Sequence, residues 1–333
     1  MNLSALRVLP IFSRTLLCIL CTLFSVTTDA AAPMVRTQAP GFYRMMLGDF
    51  EVTALNDGVV TMAVIFPGMS SEEINARLAD RYLTSPIGMS FNAFLVNTGD
   101  KLILIDAGAG DVAKLVGWTA GHLIENLRTA GYRPEQVDEV YITHMHPDHI
   151  GGLILAGQRA FPGAVVRAAS KEVERYLDAA KMASALASSP DEATDRIRFQ
   201  RVRTLLEPYI NAGKFLSFDG DVTLVPGIRA LATHGHTPGH TSYVVESGEQ
   251  TLIVIGDLIH HAAVQFPNPW FPAATDWDPK EANAERVRIF QQAADRGFWI
   301  AGAHISFPGI GHVRSDRGAY LWVPANYEIP ANR

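Results

Sequence analysis

Cysteine is nearly absent from this 333-residue chain. The only two, Cys18 and Cys21, fall in one apolar N-terminal stretch. Beyond that stretch there is no thiol, so neither a disulfide nor sulfur ligation of a metal is available. Long apolar runs are also missing. Thr15 to Val26, at 12 residues, is too short to span a bilayer, and no later run suggests a membrane span. No internal repeat is evident. The charge is modest, with 28 Lys and Arg against 34 Asp and Glu, a formal net of −6. An acidic balance weighs against a polyanionic partner such as nucleic acid. A hydrophobic content of 48% excludes disorder, and the length suffices for one large core or two modest ones.

The apolar stretch has the form of an export signal. Arg7 and Arg14 supply positive charge, and Ala30-Ala31-Ala32 offers small residues for cleavage. Residues 1–30 are therefore expected to be a signal peptide and 31–333 a single domain. Two Arg and one Asp lie in the signal, so the remainder holds 26 basic and 33 acidic residues, net −7, with no cysteine. A periplasmic or secreted protein is expected, without stable membrane association after cleavage.

What the chain does have is concentrated in Thr143-His144-Met145-His146-Pro147-Asp148-His149-Ile150-Gly151-Gly152. Four potential metal ligands fall within six residues. Burying three imidazoles and a carboxylate unsatisfied would cost several kcal/mol, and a pair of divalent cations would satisfy all four. Val137 to Ile142 reads as a strand, Pro147 ends any regular ladder, and the two glycines free the backbone afterwards. Further ligands follow at fitting places. Thr233-His234-Gly235-His236-Thr237-Pro238-Gly239-His240-Thr241 is one such segment. The apolar run Leu252 to Ile255 ends at Gly256-Asp257, and the run from Phe298 ends at His304. Strand ends that deliver ligands are where open α/β sheets place their sites.

This ordered set resembles the metallo-β-lactamase superfamily, over roughly Gly48 to Arg314. Tyr43 to Phe50, Tyr141 to His149 and Phe307 to His312 are similar to the methyl parathion hydrolase branch. The resemblance implies a four-layer αβ/βα sandwich. It assigns His144, His146 and His236 to one metal, Asp148, His149 and His304 to a second, and Asp257 to both. Imidazole and carboxylate donors suit Zn²⁺ best among ions that include Mn²⁺, Co²⁺ and Fe²⁺. Two such ions about 3.5–4 Å apart share one hydroxide, which becomes the nucleophile, with Asp148 and Asp257 as the catalytic carboxylates.

The remaining polar residues are read around that centre. In the superfamily the counterpart of Asp106 braces the ligand loop, and that of His240 is structural. His234 is expected to orient His236 from behind. His260 and His261 follow Asp257 closely, and His260 is expected to face the substrate. Trp118, Tyr176, Phe199 and Trp270 are expected to complete an aromatic pocket. Val116 and Arg198 stand where parathion hydrolases have aromatic residues, a departure that weighs against efficient phosphotriester cleavage.

Elsewhere the pattern is plain. Phe50 to Leu55 followed by Asn56-Asp57-Gly58 predicts a strand and a turn. Phe91 to Asn97 and Lys101 to Ile105 predict a hairpin. Helices are predicted over 120–130, 170–178, 194–210 and 279–296, the last stopped by Gly297. Segments 62–90, 112–119, 179–192 and 266–278 are expected to be irregular and to shape the pocket. The expected protein is a binuclear metallohydrolase of a neutral, hydrophobic lactone or aryl ester, without Lys or Arg clustered at its motifs. A dedicated phosphotriesterase and an iron-dependent oxidoreductase of the same fold are the alternatives. A β-lactamase of the class with Cys at the position of Asp257 is excluded by the missing thiol, and a homodimer is implied by the resemblance alone.

Overall fold

Alternating and apolar stretches assemble into two seven-stranded sheets. The computed structural model describes residues 32–329 apart from Ile65 and Pro190, so the expected export signal lies outside the described residues. The first sheet has, in spatial order, Phe42–Leu47, Phe50–Met62, Ile87–Asn97, Leu102–Ile105, Glu139–Tyr141, Val165–Ala169 and Phe215–Phe218. Its first four strands pair antiparallel and the rest parallel. The second sheet runs Val222–Val225, Ile228–Ala232, Thr241–Ser247, Gln250–Val254, Trp299–Ala301, Ile310–Asp316 and Ala319–Pro324. Its single parallel junction joins Gln250–Val254 to Trp299–Ala301. Residues from Pro40 onward form one compact unit.

The layers follow from which faces are apolar. Between the sheets lies a core with Val52, Phe94, Ile103 and Ile105 from one side and Ile228, Tyr243, Val245 and Leu252 from the other. Helices Leu123–Thr129, Ser170–Leu177 and Glu192–Asn211 cover the outer face of the first sheet. Helix Pro279–Arg296 covers the second, seating Ile289, Phe290 and Ala293. Burying the larger two of these side chains contributes about 1.5–3 kcal/mol each. This helix starts at Asp278, whose side chain accepts from Lys280 N and Glu281 N, and ends at Gly297 in the left-handed conformation. The result is the α/β/β/α sandwich.

Four local readings differ. Asn56-Asp57-Gly58 is no turn: the strand continues to Met62 through a bulge. The Asp57 carboxylate goes inward and accepts from Ala109 N, Gly121 N and Leu123 N, so the residue that looked like turn chemistry ties two other segments to this strand. Helices form at Ser71–Ala79, Val112–Val116 and Ala179–Ala187, inside segments expected to be irregular. Ser70 and Glu73 cap the first of them reciprocally. Segment 266–278 is irregular as expected. No helix among the described residues is long and apolar enough to cross a membrane.

Candidate metal centre

Four chain crossings converge at one edge of the sandwich. Strand Glu139–Tyr141 leads to His144, His146, Asp148 and His149; Ile228–Ala232 to His236; Gln250–Val254 to Asp257; and Trp299–Ala301 to His304. Close backbone packing sets the loop positions. A side chain at Gly151 or Gly152 would collide with the carbonyl oxygens of Ala109 and Ala107. One at Gly235, where φ is +124°, would collide with the backbone of Ala282, so the His236 loop lies directly on helix Pro279–Arg296.

All seven expected ligands meet. One group comprises His144, His146, His236 and Asp257, another Asp148, His149 and His304, with the donor atoms of each group within 4.8 Å of one another. Asp257 faces both ways. Its Oδ2 is 3.3 Å from His236 Nε2 and 3.7 Å from His144 Nε2. Its Oδ1 is 3.1 Å from His149 Nε2 and 3.3 Å from His304 Nε2. Asp148 Oδ2 lies 3.3 Å from His304 Nε2 and 3.5 Å from His149 Nε2.

The donor set fits divalent cations. His236 Nδ1 is 2.9 Å from Asp276 Oδ1, His149 Nδ1 is 2.7 Å from Asp106 Oδ2, and His304 Nδ1 is 3.1 Å from the Ser90 carbonyl. These acceptors require a proton on Nδ1. In the neutral ring the Nε2 lone pair then points into the cluster. His146 Nδ1 lies 2.9 Å from His144 Nε2 and 3.1 Å from His236 Nε2, an arrangement of like donors that a shared cation explains. His149 Nε2 and Asp257 Oδ1 are buried 3.1 Å apart without the geometry of a hydrogen bond between them or to another group. Neutral nitrogens and carboxylate oxygens without sulfur suit two divalent metals.

Without cations the electrostatics are extreme. Burial pushes His144 and His146 well below the ordinary histidine range, and the neighbouring imidazoles reinforce this. Burial also opposes the charge on His304 and His149, but carboxylates outweigh it: Asp257 and Asp148 raise His304 to about 10, and these two with Asp106 hold His149 well above the usual value. Burial disfavours the charges of Asp148 and Asp257 as well, yet the imidazoles of His149 and His304 hold both well below the usual carboxylate range.

Three residues expected to support the donors flank the cluster. Asp106 accepts from Thr143 N and Thr143 Oγ1, both at 2.8 Å, besides bonding His149, so it braces the ligand loop. His240 holds Asp257 from below: its Nε2 accepts from Asp257 N at 3.0 Å and its Nδ1 meets the Thr233 carbonyl at 2.9 Å. Burial lowers His240 to about 3, so it stays neutral. His234 does not orient His236. Its ring lies in the field of Lys171, Glu281 and Glu285, and Asp276 occupies His236 Nδ1 instead.

The cavity above the cluster measures about 300 Å³. Trp118 and His260 line it, with His261, Met62, Val64, Phe66, Met89 and Phe91. Trp118 meets Phe91 edge-on at 5.3 Å, and Phe91 meets His304 at 5.1 Å. Tyr176, Phe199 and Trp270 are absent from its wall. Tyr176 and Phe199 pack edge-on at 5.7 Å in the core beneath the first sheet, because the buried face of helix Ser170–Leu177 carries Tyr176 and Glu172 inward together. Trp270 is 61% exposed, because the carbonyls of Pro269 and Phe271 turn inward to Arg286 and leave its ring outside.

Three buried charged residues escaped the sequence reading. The Glu172 carboxylate accepts from Met145 N in one ligand loop and Gly239 N in the other, both at 2.9 Å. Asp276 and Arg286 reach the centre from segment 266–278 and helix Pro279–Arg296. Each looks locally like an ordinary surface charge, so no spacing distinguishes it. Replacing Glu172 with alanine should leave two buried N–H groups unpaired, at about 1–3 kcal/mol each, and lower the melting point of the metal-free protein by roughly 5 °C or more. An unchanged thermal melt would show that this carboxylate does not join the loops.

Residues 89–304 match the model of the metallo-β-lactamase superfamily, and the chain belongs to that superfamily. A hydrolase of the β-lactamase superfamily designated AbOPH is 34% identical with a TM-score of 0.82, over 88% of this chain and 100% of that one. AidC, a dizinc quorum-quenching lactonase solved with a product, is 27% identical with a TM-score of 0.77, over 87% of this chain and 99% of that one. An N-acyl homoserine lactonase of Bacillus cereus is 25% identical over 133 residues, 40% of this chain and 42% of its own length. The chain spans about half the length of the curated relatives it matches.

Proposed function

We propose that this protein is a binuclear metal-dependent hydrolase of neutral, hydrophobic esters, with lactones or aryl esters ahead of organophosphate triesters. The observation that carries it is a seven-residue His and Asp cluster opening into a cavity with an apolar wall and no lysine or arginine. Such a wall favours an uncharged acyl or aryl group and offers a free anionic substrate no countercharge. The lactonases among the similar proteins support the lactone arm.

Two divalent cations bound by these residues would supply an acidified water and Lewis-acid stabilisation of oxygen charge. The chain's own residues do the rest. Asp257 spans the two groups, and Asp106, Asp276 and Ser90 hold the imidazoles at fixed angles. Asp148 lines the cavity with its Oδ2 3.3 Å from His304 Nε2, placed to hold a cation together with His149 and His304. His260, whose Nε2 is 3.2 Å from Asp257 Oδ2, faces the same space and is placed to touch a substrate oxygen. Phe91, Trp118, Met62 and Met89 exclude water from the ester. Export to the periplasm or beyond, on the N-terminal apolar stretch, belongs to the same proposal.

The test is metal analysis followed by a kinetic panel of dihydrocoumarin-type lactones, aryl acetates and methyl parathion. Lactones or aryl esters should lead in kcat/KM. A phosphotriester ahead by orders of magnitude would reverse the ranking, and a purified protein with iron and no hydrolysis would sink the proposal. Replacing Trp118 with alanine should raise KM for long-chain or aromatic esters about tenfold and change kcat little, because uniform apolar contact is lost. An equal loss with acetyl esters would exclude Trp118 as a wall of the substrate pocket.

A further inference from the structure

Segment 266–278 does two things at once. Ala273, Ala274 and Thr275 form part of the cavity wall, and the next residue, Asp276, reaches under that wall to His236. The Asp276 side chain is fully buried. Its Oδ1 is 2.9 Å from His236 Nδ1, and its Oδ2 accepts from Ala273 N at 2.8 Å. The His236 carbonyl in turn accepts from Trp277 N at 3.1 Å, so segment and ligand are fastened at two points.

Behind Asp276 stands Arg286, fully buried in the middle of helix Pro279–Arg296. Its Nη2 lies 3.6 Å from Asp276 Oδ2. The other guanidinium nitrogens donate to the carbonyls of Pro269, Phe271 and Leu258, the last being the residue after Asp257. One guanidinium thus takes its position from the helix and holds the turn of Asp257 and the wall segment by hydrogen bonds, while its buried Nη2, which has no hydrogen-bond partner, faces the carboxylate on His236 as a charge. A buried arginine with so many acceptors is a poor choice for stability alone, since the ion pair recovers only part of the desolvation cost.

We propose that Asp276 and Arg286 are positioning residues for the His236 side of the metal centre: Asp276 fixes the ring angle and Nδ1 proton of His236, and Arg286 fixes Asp276. The proposal rests on the metal-centre reading above. Carboxylates that hold a ligating histidine in this way typically contribute 10–100-fold to metal affinity. Sequence alone does not reveal the pair, because the two residues are ten positions apart in an irregular segment and a charged helix.

The test uses Zn²⁺ titrated against a chromophoric chelator, with wild type, D276N, D276A and R286K. D276N keeps the shape but cannot accept from both His236 and Ala273. It should bind one of two ions about 10–100-fold more weakly and the other within about threefold of wild type, with the melting point of the metal-free protein nearly unchanged. R286K, which keeps the charge and loses the fork, should weaken the same ion by about fivefold or more. D276A covers the case in which asparagine finds a substitute geometry. If both Asp276 variants bind two ions within about threefold of wild type, the proposal is overturned. It is also overturned if both ions weaken equally while the metal-free protein melts lower, since that marks a merely structural role. A wild-type chain that takes up no divalent cation fails the metal-centre reading itself, which the wild-type arm reads separately.

Discussion

Replacing Asp257 with alanine is expected to remove metal and activity together, with kcat/KM falling by about four orders of magnitude or more. Asp257 is the one residue whose two oxygens serve different halves of the cluster, Oδ2 toward His236 and His144, Oδ1 toward His149 and His304. Without it, five imidazoles face one another with Asp148 as the only carboxylate in the seven-residue set. Two cations in such a cavity would repel each other with less negative charge between them. The turn that carries Asp257 is held separately, by His240 on its N–H and Arg286 on the next carbonyl, so the variant should still fold. Metal content by elemental analysis, circular dichroism and kinetics on the same preparation decide it. A folded variant that is metal-free and active would disprove the assigned centre.

Metal affinity should rise steeply with pH. In the metal-free state carboxylates hold His304 up near 10 and His149 well above its usual value, so both rings carry a proton at neutral pH. A cation binds only the neutral ring. Loading the site of Asp148, His149 and His304 must therefore release up to two protons, and its Kd should fall up to about 100-fold per pH unit near neutrality. The stability of the metal-free protein runs the other way. A raised histidine pKa contributes stability fully below the unfolded value near 6.5, and that contribution is lost as pH rises through about 10 for His304. Chelator competition at pH 6.5, 7.5 and 8.5, with proton release followed in weak buffer, tests the first trend. A pH-independent Kd would mean that the two rings are already neutral without metal.

Most of the metal centre was legible because its residues are dense and of unusual type. His144, His146, Asp148 and His149 stand within six positions, and His236, Asp257 and His304 each close a recognisable apolar or glycine-rich segment. The hairpin around Thr98 to Asp100 and helix Pro279–Arg296 were likewise carried by local pattern and caps. The pocket was not. Tyr176 and Phe199 are aromatic residues in helices that cover the first sheet, and sequence spacing does not tell a core-facing ring from a cavity-facing one. Trp270 lay outside for a reason set sixteen residues away, at Arg286.

Glu172, Asp276 and Arg286 show the same limit from the other side. Each is a common charged residue in a common setting, and each acts through a partner distant in the chain. Sequence by itself determined the superfamily, the sandwich of two sheets and the identity of the clustered donors, because metal ligation demands rare residue types at short spacing. Tertiary structure alone decided which side chains wall the cavity and which hold the donors at their angles. Those roles depend on direction and burial, and apolar and charged residues of every kind meet them once the chain has packed.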